Sequence, residues 1–447
     1  MILNPWLVAG LLLVSICTIV LLSSRYKWNT FFVLLMVAML VGLFAGFSGE
    51  DVIGHIKAGF GHTLEKIGLL IILGTTLGII LDKTHATLSL ANYILQKTGE
   101  QNAGLAMTLI GFVIGLPIFC DSGFIVLSGL LFSISKQVQK SHILLTICLA
   151  GALYAVHCLV PPHPGITAAA GQMGVDLGTT MLLGTLLAIP STVGTYFWAK
   201  YANTHFSYND PIVTDSTNFV PSKTILPHPL NAFLPIIVPI ILIALKSLLL
   251  LNPVVLSPQI LHWTNFLGEP VVALCVGIVF SMSLFPKIEK VVLNKILEES
   301  IEKAGPILAI IAIGGAFGEV IKMLDLGKVF GQGVAELGMG LFIPFVLTVI
   351  FKTAQGSSTV AIISATSICL PLLPSLGLTS DWDKQLALLA MGAGSMMISH
   401  ANDAYFWVVS RFGKLETSLA LRTYSVMSCW MSLITFAGVY ILYCFFR

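Results

Sequence analysis

An apolar segment of transmembrane length, Ala150–Ala170, is broken in its middle by Pro161-Pro162-His163-Pro164-Gly165. Proline lacks a backbone N–H and its ring clashes with the preceding turn, so no regular α-helix runs through this cluster. One apolar run precedes the break and another, reaching Ala188, follows it. In lipid, the backbone groups freed by such a break are tolerated only where they are buried in protein or line a wet cavity. With His157 and His163 beside it, the break has the character of a substrate or ion site inside a helical bundle.

The rest of the chain supplies that bundle. Only 10% of the 447 residues are charged and 56% are hydrophobic, against ~25% charge in soluble domains. Runs such as Pro5–Leu22, Thr30–Phe47 and Ile67–Leu81 carry no charge, and a crossing takes roughly 17–25 apolar residues. An all-α integral membrane protein is expected, with the lipid bilayer as its surroundings and no nucleic-acid partner. The first run has no basic flank or small-residue cleavage site, so it reads as a retained helix. The eight cysteines all lie in apolar segments without a C-x-x-C spacing, as small core residues rather than disulfides or metal ligands. No P-loop, zinc-protease helix or nucleophile elbow occurs, so neither an enzyme nor a cofactor or metal is expected.

The chain reads as two halves. Leu64-Glu65-Lys66-Ile67-Gly68 leads to Gly74 and Gly78, and Ile301-Glu302-Lys303-Ala304-Gly305 leads to Gly314 and Gly318. Each block is followed by an apolar stretch interrupted by a short polar motif, Cys120-Asp121-Ser122-Gly123 or Gln355-Gly356-Ser357-Ser358-Thr359. Each half then reaches a His-bearing helix, with His157 or His400. Paired interruptions of this kind mark the site of a secondary transporter built from repeats. With the N-terminus outside, fifteen Lys and Arg, including Arg25, Lys140, Lys223, Lys287 and Arg411, fall in inner loops, and six, including Lys57, Lys66, Lys322, Lys328 and Arg447, fall outside. That asymmetry satisfies the positive-inside rule and implies repeats of inverted topology.

The expected map follows. Residues 1–199 form the first repeat, with crossings near 5–22, 29–47, 67–81, 142–178 (broken) and 179–199, and a re-entrant hairpin near 103–134. Residues 200–228 form a polar cytoplasmic linker. Residues 229–447 form the second repeat, with crossings near 229–251, 266–285, 304–321, 385–410 (broken) and 418–445, and a hairpin near 339–374. The uncharged stretch Asn252–Asn265 is expected as an outer loop. Segments 50–66 and 287–303 mix charges with helical apolar spacing and are expected along the interface.

Several polar groups sit at these interruptions. Asp121, between Cys120 and Ser122-Gly123, is costly in a membrane unless a proton, a cation or hydrogen bonds offset its charge; it reads as a coupling or substrate residue, with helix capping as the alternative. Gln355, Gly356, Ser357, Ser358 and Thr359 place an amide, hydroxyls and open N–H groups at a half-helix start, which attracts anions. Lys352, one turn upstream, is the candidate cation for a carboxylate, or an interfacial snorkelling lysine. His157, His163 and His400 suit proton coupling or simple packing. Asn402 and Asp403 follow His400; Asp403 is a second deep carboxylate or an Asx-type cap.

Together these residues resemble the gluconate permease (GntP) family of the ion transporter superfamily. The matching stretches are His157-x-x-x-Pro161-Pro162-His163-Pro164-Gly165, Gln355-Gly356-Ser357-x-Thr359-Val360-Ala361, Asp121-x-Gly123-Phe124 and Asn402-Asp403-x-x-Phe406-Trp407. The resemblance implies two inverted repeats with re-entrant hairpins, a scaffold with an elevator-type transport domain, and a homodimer in the bacterial inner membrane. It implies proton symport of gluconate or a related sugar or hydroxy acid. Departures gather around the expected site: Lys352 stands where the family carries arginine, and Cys120, Ser122, Ile166, Ser128-Gly129 and Ala404-Tyr405 depart as well. On these residues, Lys352 and the half-helix starts face the substrate carboxylate. Ser357, Ser358, Thr359, Asn402 and His163 bond its hydroxyls, and Asp121, Asp403, His157 or His400 carries the proton. A sodium-coupled carboxylate or D-serine transporter, a channel and an intramembrane enzyme are the rival readings.

Overall fold

The computed structural model describes residues 5–22, 26–138, 142–206, 226–250, 257–285, 290–324, 340–400 and 403–446. Asn402, Arg25, Lys140, Lys223, Lys287, Lys328 and Arg447, most of the linker and part of the stretch 252–265 lie outside these residues. Every regular element among the described residues is helical. Among the described residues, six helices are long and apolar enough to cross a membrane, or seven if one bent pair counts as a span.

The first half opens with α1 (Pro5–Val20) and α2 (Thr30–Phe44). Asn29 caps α2 by accepting from the Phe31 N–H. A 35-residue helix, α3 (Gly49–Lys83), follows. Ser48 caps it, and Glu50 and Asp51 in its first turn complement the helix dipole. Then come α4 (Ala86–Thr98), the pair α5 (Ala103–Gly115) and α6 (Cys120–Val138), the broken pair α7 (His142–Leu159) and α8 (Pro164–Met173), and α9 (Leu177–His205). The second half contains α10 (Pro229–Leu250), α11 (Pro258–Leu267), α12 (Pro270–Met282) and α13 (Lys290–Lys322). It continues with the pair α14 (Phe342–Gln355) and α15 (Ser358–Cys369), then α16 (Asp381–Gly394) and α17 (Ala404–Phe412). It ends in α18 (Thr417–Phe446), which contains a π-helical turn at Leu421–Ser425.

The two hairpin turns and the first broken helix fall where Pro and Gly punctuate the sequence; the second break, 395–403, contains neither and only follows Gly392 and Gly394. Val160–His163 separates α7 from α8, and Pro164 occupies the first position of α8, where its missing N–H costs nothing. Between α14 and α15 the connection is two residues. Gly356 ends α14 with φ +80°, a conformation that favours glycine, and Ser357 caps α15 through the Val360 N–H. Ser380 and Asp383 form a reciprocal capping box on α16.

Four expectations need correction. Segment 50–66 and the described part of segment 287–303, residues 290–303, are not separate interfacial helices; each is part of one continuous helix, α3 or α13. Their apolar spacing runs on into the next segment, and even Pro306 does not end α13. At 1.5 Å per residue α3 is about 52 Å long, longer than the ~30 Å hydrocarbon core. Residues 258–265, expected as loop, are helical in α11. The expected crossing 266–285 is interrupted, because α11 and α12 meet at Gly268-Glu269 with a 67° bend. Helix α4 was not expected, since its sequence lacks a long apolar run.

α7 is the axis of the bundle: sixteen of its eighteen residues are buried, all but Leu144 and His157. A helix that is apolar all round belongs inside. α9 packs directly on the break behind it. A Cβ on Gly184 would lie 2.1 Å from the Leu159 carbonyl oxygen, and backbone cannot move aside as a side chain can. Gly184→Ala is therefore expected to cost about 1–3 kcal/mol, read as a lower Tm by size-exclusion thermal unfolding in detergent. An unchanged Tm would show that α9 can draw back from the break.

Candidate functional site

Four helix N-termini converge on one cavity of about 330 Å³, within the usual ~300–1,000 Å³ of ligand pockets. α6 contributes Cys120 and Asp121, α8 contributes Pro164, α15 contributes Ser357–Val360, and α17 contributes Asp403, Ala404 and Tyr405. Each start follows from a local break: the turn after Pro117, the Pro161–Pro164 cluster, the Gly356 turn, and the interruption after α16. The starts of α8 and α15 lie side by side, since a Cβ on Gly165 would come within 2.9 Å of the Thr359 Cα. The first backbone N–H groups of a helix carry partial positive charge and lack intrahelical partners. A cavity ringed by four such starts favours an anion.

Asp403 is held on several sides. Its Oδ1 accepts from the Tyr405 N–H at 3.0 Å, which caps α17. Its Oδ2 accepts from Lys352 Nζ at 2.6 Å and from the Ser399 hydroxyl. Ser399 lies 3.1 Å from the Tyr424 hydroxyl oxygen. Lys352 is completely buried and also donates to the Gly356 carbonyl at 2.8 Å. Its ammonium sits 5.6 Å from the centre of the Tyr154 ring. The pair thus ties the tip of the α14–α15 hairpin to the second helix break. Buried charges need this kind of multiple pairing.

The wall gathers many of the residues singled out in the sequence: Asp121, His157, Gln355, Gly356, Ser357, Ser358, Thr359 and Asp403. Asp121 accepts a contact of 3.3 Å from the Cys120 thiol. Both side-chain polar atoms of Gln355 are buried without hydrogen-bond partners. The others stand back. Lys352 is one layer behind Asp403. His163 lies 2.6 Å from the Gly115 carbonyl oxygen through Nε2 and is buried. Its ring centroid is 4.8 Å from that of His157. His400 lies 3.1 Å from the Thr353 carbonyl oxygen through Nε2. Ser122 lines a neighbouring cavity with Asp82 and Lys303, and a Cβ on Gly123 would meet Leu153 at 3.0 Å.

Sequence reasoning misses Tyr154 and marks Tyr405 only as a departure from the family pattern near the expected site. Tyr154 reaches Ser358 at 2.8 Å and donates to the Ser395 carbonyl at 3.2 Å. Tyr405 donates to the Ala150 carbonyl at 3.0 Å. Their rings lie 5.4 Å apart, and Tyr405 is 5.8 Å from Tyr424. A signal existed, because Tyr154, His157 and Cys158 share one face of α7 at i, i+3 and i+4.

A family profile described as GntP family permease matches residues 7–445. An uncharacterized permease of Haemophilus influenzae is 32% identical over 415 residues, covering 90% of this chain and 84% of the relative. The high-affinity gluconate transporter of Escherichia coli is 29% identical, covering 96% of this chain and 98% of the relative. The D-serine transporter DsdX of Escherichia coli is 28% identical, covering 98% of each. Among solved structures, the Alcanivorax borkumensis YdaH transporter superposes with a TM-score of 0.62 at 15% identity, covering 88% of this chain and 89% of that one.

Proposed function

This chain belongs to the GntP family of permeases, and on that premise we propose that it imports gluconate or a related small hydroxy acid by proton symport with alternating access. It is an integral membrane permease and not an enzyme. The observation that carries the substrate class is the convergence of four helix N-termini on one cavity. The N–H groups of α8 and α15 receive the carboxylate, while the hydroxyls of Ser357, Ser358 and Thr359 and the amide of Gln355 bond the substrate's hydroxyls. Asp121 and His157 stand on the same wall as groups that can take the coupling proton. A protonated carboxylate no longer repels an anionic substrate and costs far less to carry through a low-dielectric barrier.

The order of elements supports a repeat, since a long helix, a hairpin and a broken span recur in each half, and the loop-charge asymmetry supports its inversion. On the elevator reading, the hairpins and broken helices move together against the remaining helices, in a homodimer within a bacterial inner membrane. Lys352 acts through Asp403: their ion pair holds the hairpin tip against the second break.

A zwitterion such as D-serine is the second reading. Asp121 offers a carboxylate on the cavity wall for an ammonium group, and the D-serine relative aligns with nearly the whole chain. Proteoliposomes decide between the two. Radiolabelled gluconate is expected to accumulate when an inward proton gradient is imposed, and not under an equal sodium gradient. Accumulation of D-serine without gluconate would replace the first reading by the second, and sodium dependence would reassign the coupling ion.

A further inference from the structure

The seam where α3 crosses α13 carries a second, polar cavity of about 70 Å³. Its walls include His62 and Lys66 of α3, Glu319 and Lys322 of α13, Gln172 at the end of α8 and Ser367 of α15. Three of these helices also wall the central cavity: α8 through Pro164, α13 through Ile307 and Ile310, and α15 through Ser358 and Thr359. From Pro164 to Gln172, and from Thr359 to Ser367, is roughly 12 Å of helix in each case. The two cavities are therefore successive stations along the same helices. The crossing itself is tight. A Cβ on Gly59 would come 2.6 Å from the Gly315 carbonyl oxygen, and one on Gly315 would lie 1.8 Å from the Thr63 hydroxyl.

The chemistry of this second cavity is a surplus of donors. Glu319 is already paired with Lys322 at 2.5 Å, so the charge of Lys66 is left over among the residues lining the cavity. Lys66 donates a long bond, 3.3 Å, to the Gly171 carbonyl. The side-chain Nε2 of Gln172 is buried and has no hydrogen-bond partner. A buried amide nitrogen without an acceptor is costly, and a turn of the Gln172 side chain toward the cavity would give it an oxygen acceptor there. Beside an ammonium, a carboxylate fits best.

We propose that this cavity is an outer docking point for the carboxylate end of a small hydroxy acid, where Lys66 and the Gln172 amide hold that end before the substrate reaches the central cavity. The proposal rests on the carboxylate reading of the central site. The loop charges put the Lys66 and Lys322 end of the seam on the outer face, the side from which import begins. A residual positive charge at such a mouth raises the local concentration of anions and speeds their entry.

The test uses the full chain with the exposed cysteines Cys17, Cys275 and Cys444 replaced by serine and with Gln172→Cys, in phosphatidylcholine vesicles; the labelling of the same chain with Gln172 intact, which reports Cys120 on the central-cavity wall, is subtracted. Labelling is followed with an anionic and a cationic methanethiosulfonate reagent, each normalised to its rate with a free thiol. The anionic reagent is expected to react roughly tenfold faster at low salt. That preference is expected to vanish with Lys66→Gln, and gluconate is expected to slow the labelling in a saturable way. No charge preference, or a preference that survives Lys66→Gln, overturns the proposal. A lipid phosphate offers the same acceptor oxygens, so phosphatidylglycerol is added in a parallel arm. Protection by that lipid alone, with none by gluconate, assigns the cavity to headgroups and also overturns it. Gluconate uptake by the chain with Gln172 intact is scored in the same vesicles. Labelling that behaves as expected without any uptake leaves the second site standing and removes the central reading. Uptake without charge-selective labelling removes this proposal alone. In the transporting chain, Lys66→Gln is expected to raise KM about fivefold at low salt with little change in kcat, an effect that salt removes.

Discussion

Replacing Lys352 by alanine is expected to abolish uptake and to destabilise the protein by about 3–5 kcal/mol. The stability loss comes from what is left behind. Asp403 is almost fully buried, and its Oδ2 would keep only the Ser399 hydroxyl of the two partners it now has. The Gly356 carbonyl would lose its ammonium donor as well. A double replacement, Lys352→Ala with Asp403→Ala, removes both charges and is expected to recover most of the stability. It is not expected to recover uptake, because the tie between the hairpin tip and the second break is gone. Thermal unfolding of the four proteins closes a double-mutant cycle, and the coupling energy is the quantity to read. Independent, additive losses would show that the ion pair is incidental, and uptake by the double variant would remove the pair from the transport cycle.

The features legible in the sequence are those set by local chemistry. Pro161–Pro164 and Gly356 act on their own backbone, so the first break and the second hairpin tip fall where the sequence places them. The convergence of four helix starts was legible only in part. Three of the polar motifs were recognised as half-helix starts or tips, but a linear chain does not say that α6, α8, α15 and α17 point at one another. The partner of Lys352 was also out of reach: Asp403 is 51 residues away, and nothing in either segment marks the other. Sequence reasoning therefore aimed Lys352 at the substrate, while the fold spends its charge on Asp403 and Gly356. The long helices α3 and α13 were divided because charged residues occupy their outer parts. Such residues read as an interface when seen alone, whereas a helix packed along a partner accommodates them on its open face.

Asp121→Asn is expected to separate transport from its driving force. Asp121 lines the central cavity in the first turn of α6, and its carboxylate is the acidic group there that Lys352 does not neutralise. Asparagine keeps the shape and the hydrogen-bonding ends but never gains or loses a proton. With one proton per substrate anion, a gradient of two pH units supports roughly 100-fold accumulation, since each unit is worth about 1.4 kcal/mol. The variant is expected to lose that accumulation while labelled gluconate still exchanges for unlabelled gluconate across the membrane. Exchange needs the binding site and the conformational change but no net proton movement, so it serves as the control for folding. Its rate should also become insensitive to pH over the range in which the unsubstituted protein responds. If the variant still accumulates gluconate against its gradient with the original pH dependence, the proton travels elsewhere. His157, the other ionisable group on that wall without a charge partner, then becomes the residue to replace. If both accumulation and exchange vanish while Tm is unchanged, Asp121 binds the substrate directly, which favours a zwitterion with an ammonium group over a sugar acid.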